Sequence, residues 1–154
     1  MRGITVIERA SVPSDLVDLA RRAGLAALEA EGQEGFASVV LVDDEEIAAW
    51  NEKWLKRQGP TDVIAFAARE GETLVDVGEG GGEGGGELGD VLVSAERARA
   101  QAVEYGCTEE EELARLVIHG ILHLLGWDDS SEGARLAMEK RTESILTQVL
   151  GAET

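Results

Sequence analysis

Apolar and polar positions along the chain fall into short alternating runs and longer runs of helical period. Ile4 and Val6, opposed by Thr5 and Ile7, predict a short strand over Gly3–Glu8. Pro13 and Ser14 then open a helix in which Leu16, Leu19, Ala20, Ala23, Ala27 and Leu28 recur at helical spacing, stopping around Gly32. Phe36–Val42 is rich in β-branched residues and predicts a second strand. Asp43 or Asp44 caps a helix that holds Ile47, Ala48 and Trp50 and ends near Lys56, before the Gly59-Pro60 break. Asp62–Ala67 predicts a third strand and Leu74–Val77 a further extended piece.

Seven of the nine residues 78–86 are glycine, so 78–87 reads as a flexible surface loop. A phosphate cradle would need Gly-Lys-Ser/Thr at its end, whereas Glu87-Leu88-Gly89-Asp90 follows here. Asp90–Ser94 is the last predicted strand, and Ala95–Tyr105 a helix ended by Gly106. Thr108 with Glu111 forms a capping box, opening a helix that runs to Leu124 or Leu125 and stops at Gly126. A final helix, about Ser131–Leu150, carries Leu136, Met138, Ile145, Leu146 and Val149. Strands and helices mix without strict alternation. This predicts an α+β fold, a single domain with a small mixed β-sheet packed with about five helices.

Composition narrows the class. A chain of 154 residues with 44% apolar and 29% charged positions buries a core without needing disulfides. Its longest apolar stretches are interrupted by His119, Gly120 and His123, far short of a membrane span, and residues 1–9 lack the pattern of a secretory signal. The lone Cys107 has no internal partner, which suits a reducing cytosol, so a cytoplasmic location is expected. Against 14 Lys and Arg stand 31 Asp and Glu, a formal charge of −17. Such a chain repels nucleic acid at long range, and any nucleic-acid partner must meet a locally basic cleft.

The chain's two histidines both lie in His119-Gly120-Ile121-Leu122-His123. Four residues apart on a helix they share one face, so both imidazoles can reach one metal ion. Gly126 then turns the chain, and Asp129, six residues after His123, is placed to return a third ligand. Three protein ligands with an open fourth position is the catalytic arrangement for zinc. On spacing alone, two half-buried histidines bonded to backbone explain the pair equally well. Gly120 stands where a zinc protease of the His-Glu-x-x-His type has its general base, so a peptidase reading lacks its base.

His119-Gly-Ile-Leu-His123-Leu-Leu-Gly126-Trp-Asp128-Asp129 closely resembles the signature of the YbeY family of endoribonucleases and rRNA-maturation factors, which reads His-Gly-x-Leu-His-Leu-x-Gly-Tyr-Asp-His. Leu41–Ile47, Asn51, Pro60–Ile64 and Leu88–Ser94 resemble its other blocks in the same order, so the likeness covers most of residues 36–150. It implies that residues 1–154 form one metal-dependent hydrolase domain, with zinc, one per chain, held on a central helix and the loop after it. It also implies single-strand endoribonuclease activity in 16S rRNA 3′-end maturation and ribosome quality control. The implied partners are rRNA and the ribosomal small subunit, with no membrane and no DNA.

Carried over by position, His119 and His123 are the first two ligands, and Asp129 stands where the family has its third histidine. Zinc accepts a carboxylate oxygen, but two histidines and a carboxylate also suit other divalent metals. Asp128, matching the family's Asp, can instead swing in or orient a ligand from behind. The family's arginine before the Pro60-Thr61 block is Leu55 here, which leaves Lys56 and Arg57 as candidate catalytic cations and Lys53 as a candidate substrate-binding residue. Ala65 replaces the family's serine, and Ala67 its proline. Asp62, Asp90 and Glu112 are loose candidates for a general base. Trp50 is expected in the core, and Trp127 over the metal site. Two other readings remain open: a ribosome-associated binding factor with a structural metal and weak or lost nuclease activity, and a metal-dependent hydrolase or oxygenase of a small substrate.

Overall fold

The computed structural model describes residues 1–55, 61–68 and 87–151. The expected extended piece at Leu74–Val77, the Gly59-Pro60 break and the glycine loop up to residue 86 lie outside the described residues. Four strands and five helices follow in the order β1 (Arg2–Glu8), α1 (Ser14–Ala30), β2 (Gly35–Val42), α2 (Asp44–Leu55), β3 (Val63–Ala67), β4 (Glu87–Ser94), α3 (Ala95–Tyr105), α4 (Glu109–Leu124) and α5 (Glu132–Gly151). The sheet order is β1-β2-β4-β3: β1, β2 and β4 run parallel, and β3 pairs antiparallel on the outer side of β4. This is the mixed α+β sheet expected from the sequence. None of the described helices is long and apolar enough to cross a membrane.

Strand alternation separates two apolar cores. Ala37, Val39 and Leu41 of β2 and Val91 and Val93 of β4 face a large core shared with α1, α4 and α5. Val40, Val42 and Leu92 face the other way, onto a smaller core closed by Ile47 of α2 and Ile64 of β3. Trp50 belongs to the edge of that second core and is half-buried, whereas its helical spacing with Ile47 predicts a core position.

α4 is the hub of the larger layer, packing against α1, α3 and α5 as well as β3 and β4. Its start is fixed by Thr108, whose Oγ1 accepts from the Glu111 N–H at 3.0 Å. The return half of the expected capping box is replaced: the Glu111 carboxylate pairs with Arg115 at 3.0 Å. The helix is apolar only beyond its first turn, which holds Glu109–Glu112. Those charges sit at the positive end of the helix dipole.

β4 begins three residues earlier than the sequence predicts, at Glu87, within the stretch 78–87 that glycine content predicts as a flexible loop. Pairing of Glu87 with Phe36 and of Gly89 with both Ala37 and Ala67 pulls this segment into the sheet. Gly89, at φ 143°, allows the irregularity between Phe36 and Ala37, where a side chain would run into the Phe66 carbonyl.

Candidate metal centre

Two features of the sequence place the histidines. Gly120, between them, lets α4 lie close on β4 and β3: a Cβ built there would come 2.4 Å from Val91 Cγ1 and 2.9 Å from Val63 Cγ2. A glutamate at this position, as in the protease motif, would have no room. At the other end, the Gly126 N–H donates to the His123 carbonyl and the Trp127 N–H to the Leu122 carbonyl, both at 3.0 Å. With Gly126 at φ 105°, this pair of bonds turns the chain sharply one turn beyond His123.

The turn brings Asp129 back to the helix. Ligand atoms of His119, His123 and Asp129 lie within 4.8 Å of one another, and His123 Nε2 is 3.6 Å from Asp129 Oδ2. The two imidazoles, 5.2 Å apart between centroids and inclined at 76°, converge rather than stack. Ligands held at about 2.1 Å around a tetrahedral ion stand roughly 3.4 Å apart, so only a small contraction separates this group from coordination geometry. Burial, followed by the neighbouring His123, holds the His119 imidazole below its usual range, with the carboxylates of Asp62, Asp129 and Glu139 opposing. His119 is therefore neutral near pH 7, the form in which an imidazole binds metal. The donor set, two imidazoles and one carboxylate, fits a divalent cation of the zinc type.

Asp128 is engaged within the loop itself. Its Oδ1 accepts from the Ser130 N–H at 3.1 Å and the Ser130 hydroxyl at 3.0 Å, and these bonds lower its carboxyl pKa. It thus shapes the ligand loop through the backbone. Trp127 is half-buried against the large core, and its indole N–H donates to Glu31 Oε1 at 2.7 Å. Glu31 carried no signal in the sequence.

Of the loose base candidates, Asp62 accepts a long 3.4 Å bond from Gln101 and bears on His119 electrostatically. Asp90 is buried on the sheet face that α2 covers, opposite α4. Glu112, also buried, is bonded to Arg115 at 2.6 Å, roughly 10 Å up the helix from His119 at 1.5 Å per residue. Lys56 and Arg57 lie outside the described residues. Lys53 Nζ sits 5.6 Å from the centroid of the Trp54 ring, which is 48% exposed. Trp54 in turn stacks on Trp50 at 6.2 Å beside Phe66. β3 therefore separates two groups, with Val63 against the histidine helix on one face and Phe66 against the tryptophans on the other.

Known proteins agree with this architecture. The family model for Endoribonuclease YbeY matches residues 8–150. A protein of that name from Pelotomaculum thermopropionicum is 41% identical over 140 residues, 90% of this chain and 89% of the relative. The namesake from Symbiobacterium thermophilum is 41% identical over 133 residues, covering 84% of this chain and 83% of its own. That from Desulfitobacterium hafniense is 39% identical over 126 residues, 79% and 76% respectively. The solution structure of a Thermotoga maritima protein superposes with a TM-score of 0.64 at 24% identity, over 97% of this chain and 90% of that one, and shares the fold. The family model and these relatives agree: the chain belongs to the endoribonuclease YbeY family.

Proposed function

We propose that residues 1–154 form one metal-dependent endoribonuclease domain that cleaves single-stranded RNA in the cytoplasm. Its place would be in 16S rRNA 3′-end maturation and ribosome quality control, with the small subunit as partner. The observation that supports this most is the convergence of His119, His123 and Asp129 behind the Gly126 turn, in a chain of this family. His119 and His123 hold one zinc ion from the rigid end of α4, and Asp129 closes the set from the loop. When bound, the ion supplies Lewis acidity toward a phosphoryl oxygen or a water.

The chain's own residues supply the rest. His119 is held neutral by burial and is ready to ligate without first losing a proton. Asp128, through its turn with Ser130, orients the backbone that carries Asp129. Lys56 and Arg57 provide positive charge to the scissile phosphate, and Lys53, beside Trp54 across β3 from the histidines, binds the strand further along. Against a net charge of −17, these three cations confine RNA to a narrow track.

Cleavage of a labelled single-stranded RNA by the purified chain tests the reading. Activity should disappear on chelation, return with zinc, and be lost in His123→Ala at every metal concentration. Metal-independent cleavage, or cleavage by His123→Ala equal to wild type, would overturn it.

A further inference from the structure

Asp129 sits on a loop and is 53% exposed at its side chain, so its position opposite the histidines must come from what holds the backbone around it. On its far side the Asp128–Ser130 turn and the Ser131 cap of α5 fix the chain, the Ala134 N–H donating to Ser131 Oγ at 3.0 Å. On its near side stands Trp127, whose indole is anchored to a residue 96 positions away in the chain. Glu31 ends α1, and its carboxylate is divided between two partners. Oε1 accepts from the Trp127 indole at 2.7 Å and Oε2 from Arg141 Nε at 2.8 Å. Arg141 Nη2 also donates to the Ala30 carbonyl at 2.7 Å. The Glu31 side chain is only 17% exposed, so both bonds are sheltered from water.

We infer that Glu31 is a positioning residue for the metal centre: through the Trp127 indole it sets the path of the loop at 126–129, and so the reach of the Asp129 carboxylate. The inference rests on the reading of His119, His123 and Asp129 as ligands. Aspartate is a short ligand, and a loop ligand has more freedom to lose on binding than the two helical ones. A tether made before the metal arrives removes part of that cost. A packing role for the same network, joining α1 to α5, would stabilise the fold without favouring Asp129 over the histidines.

Zinc titrations on the full chain, in competition with a chromophoric chelator, separate these roles. Trp127→Phe keeps a six-membered aromatic ring but deletes the pyrrole ring with its N–H, and should weaken zinc binding about tenfold, the low end of what ligand-supporting groups contribute. In an Asp129→Ala background the same change should have no effect on affinity. Glu31→Ala, which leaves the indole in place, should reproduce the loss and add nothing to Trp127→Phe. Cobalt substitution gives a second readout, since the visible bands of Trp127→Phe should move toward those of Asp129→Ala. An equal loss in both backgrounds, or no loss in the first, would overturn the positioning role while leaving the ligand set standing. A wild-type chain that binds neither zinc nor cobalt would overturn the ligand reading itself, and this inference with it.

Discussion

A methyl group placed on Gly120 would stand 2.4 Å from Val91 Cγ1, closer than packed carbons approach. The contact joins the middle of the histidine pair to the strand beneath it, so the height of α4 over the sheet is set at the candidate metal centre. Gly120→Ala gains about 1 kcal/mol of helix propensity. Overpacking against Val91 and Val63 costs more, about 1–3 kcal/mol. A net loss of stability is expected in urea denaturation, shrinking when Val91→Ala is combined with it. An undiminished penalty in the double variant would show that the contact is not its source.

Asp129 and Asp128 should separate cleanly by metal affinity. Asp129→Ala removes the carboxylate that lies 3.6 Å from His123 and should weaken zinc binding by about 100-fold or more. Asp128→Ala removes the bonds to Ser130 and a minor electrostatic interaction with His123, and should cost about tenfold or less. Equal losses in a competition titration would make Asp128 a ligand.

What the sequence revealed of this protein follows from the range of the interactions concerned. Both ends of α3 and the start of α4 are readable to the residue because Ser94, Gly106 and Thr108 act on their nearest neighbours, Ser94 Oγ accepting from the Arg97 N–H at 3.1 Å. The histidine pair and its turn were readable for the same reason. Glu87–Gly89 were not, since nothing in a segment that follows a glycine run shows that Phe36 and Ala67 will pair with it. Glu31 was invisible because its partner Trp127 lies 96 residues away, and α1 ends there with or without that bond.

The buried Glu112 gives a pH signature. Burial raises its carboxyl pKa, and the Arg115 guanidinium, bonded at 2.6 Å, only partly offsets that. A raised folded pKa contributes stability that is present below the unfolded value of 4.5 and is lost as pH rises through the folded one. Glu112→Gln carries no such titration, and Arg115 keeps Glu111 and Glu143 as partners. The stability of wild type relative to Glu112→Gln should therefore fall as pH rises above the unfolded value of 4.5. A difference that grows with pH, in parallel urea titrations, would reverse the assigned sign.

RNA binding should carry the mark of a small number of cations. In a chain with 31 acidic and 14 basic residues, long-range attraction to RNA is absent, and affinity depends on local phosphate contacts. Lys53, whose ammonium lies over the Trp54 ring, and Lys56 and Arg57 beyond it in sequence are the proposed contacts. Each contact on single-stranded RNA releases about 0.7 of a counterion, so three contribute a slope of about −2 in log affinity against log salt. Replacing all three with alanine should weaken binding of a single-stranded RNA and flatten that slope by about 2, measured by fluorescence anisotropy from 50 to 200 mM salt. Weaker binding with an unchanged slope would mean that the substitutions disturb the Trp54 surface rather than remove phosphate contacts. Unchanged affinity would place the RNA track elsewhere on the molecule.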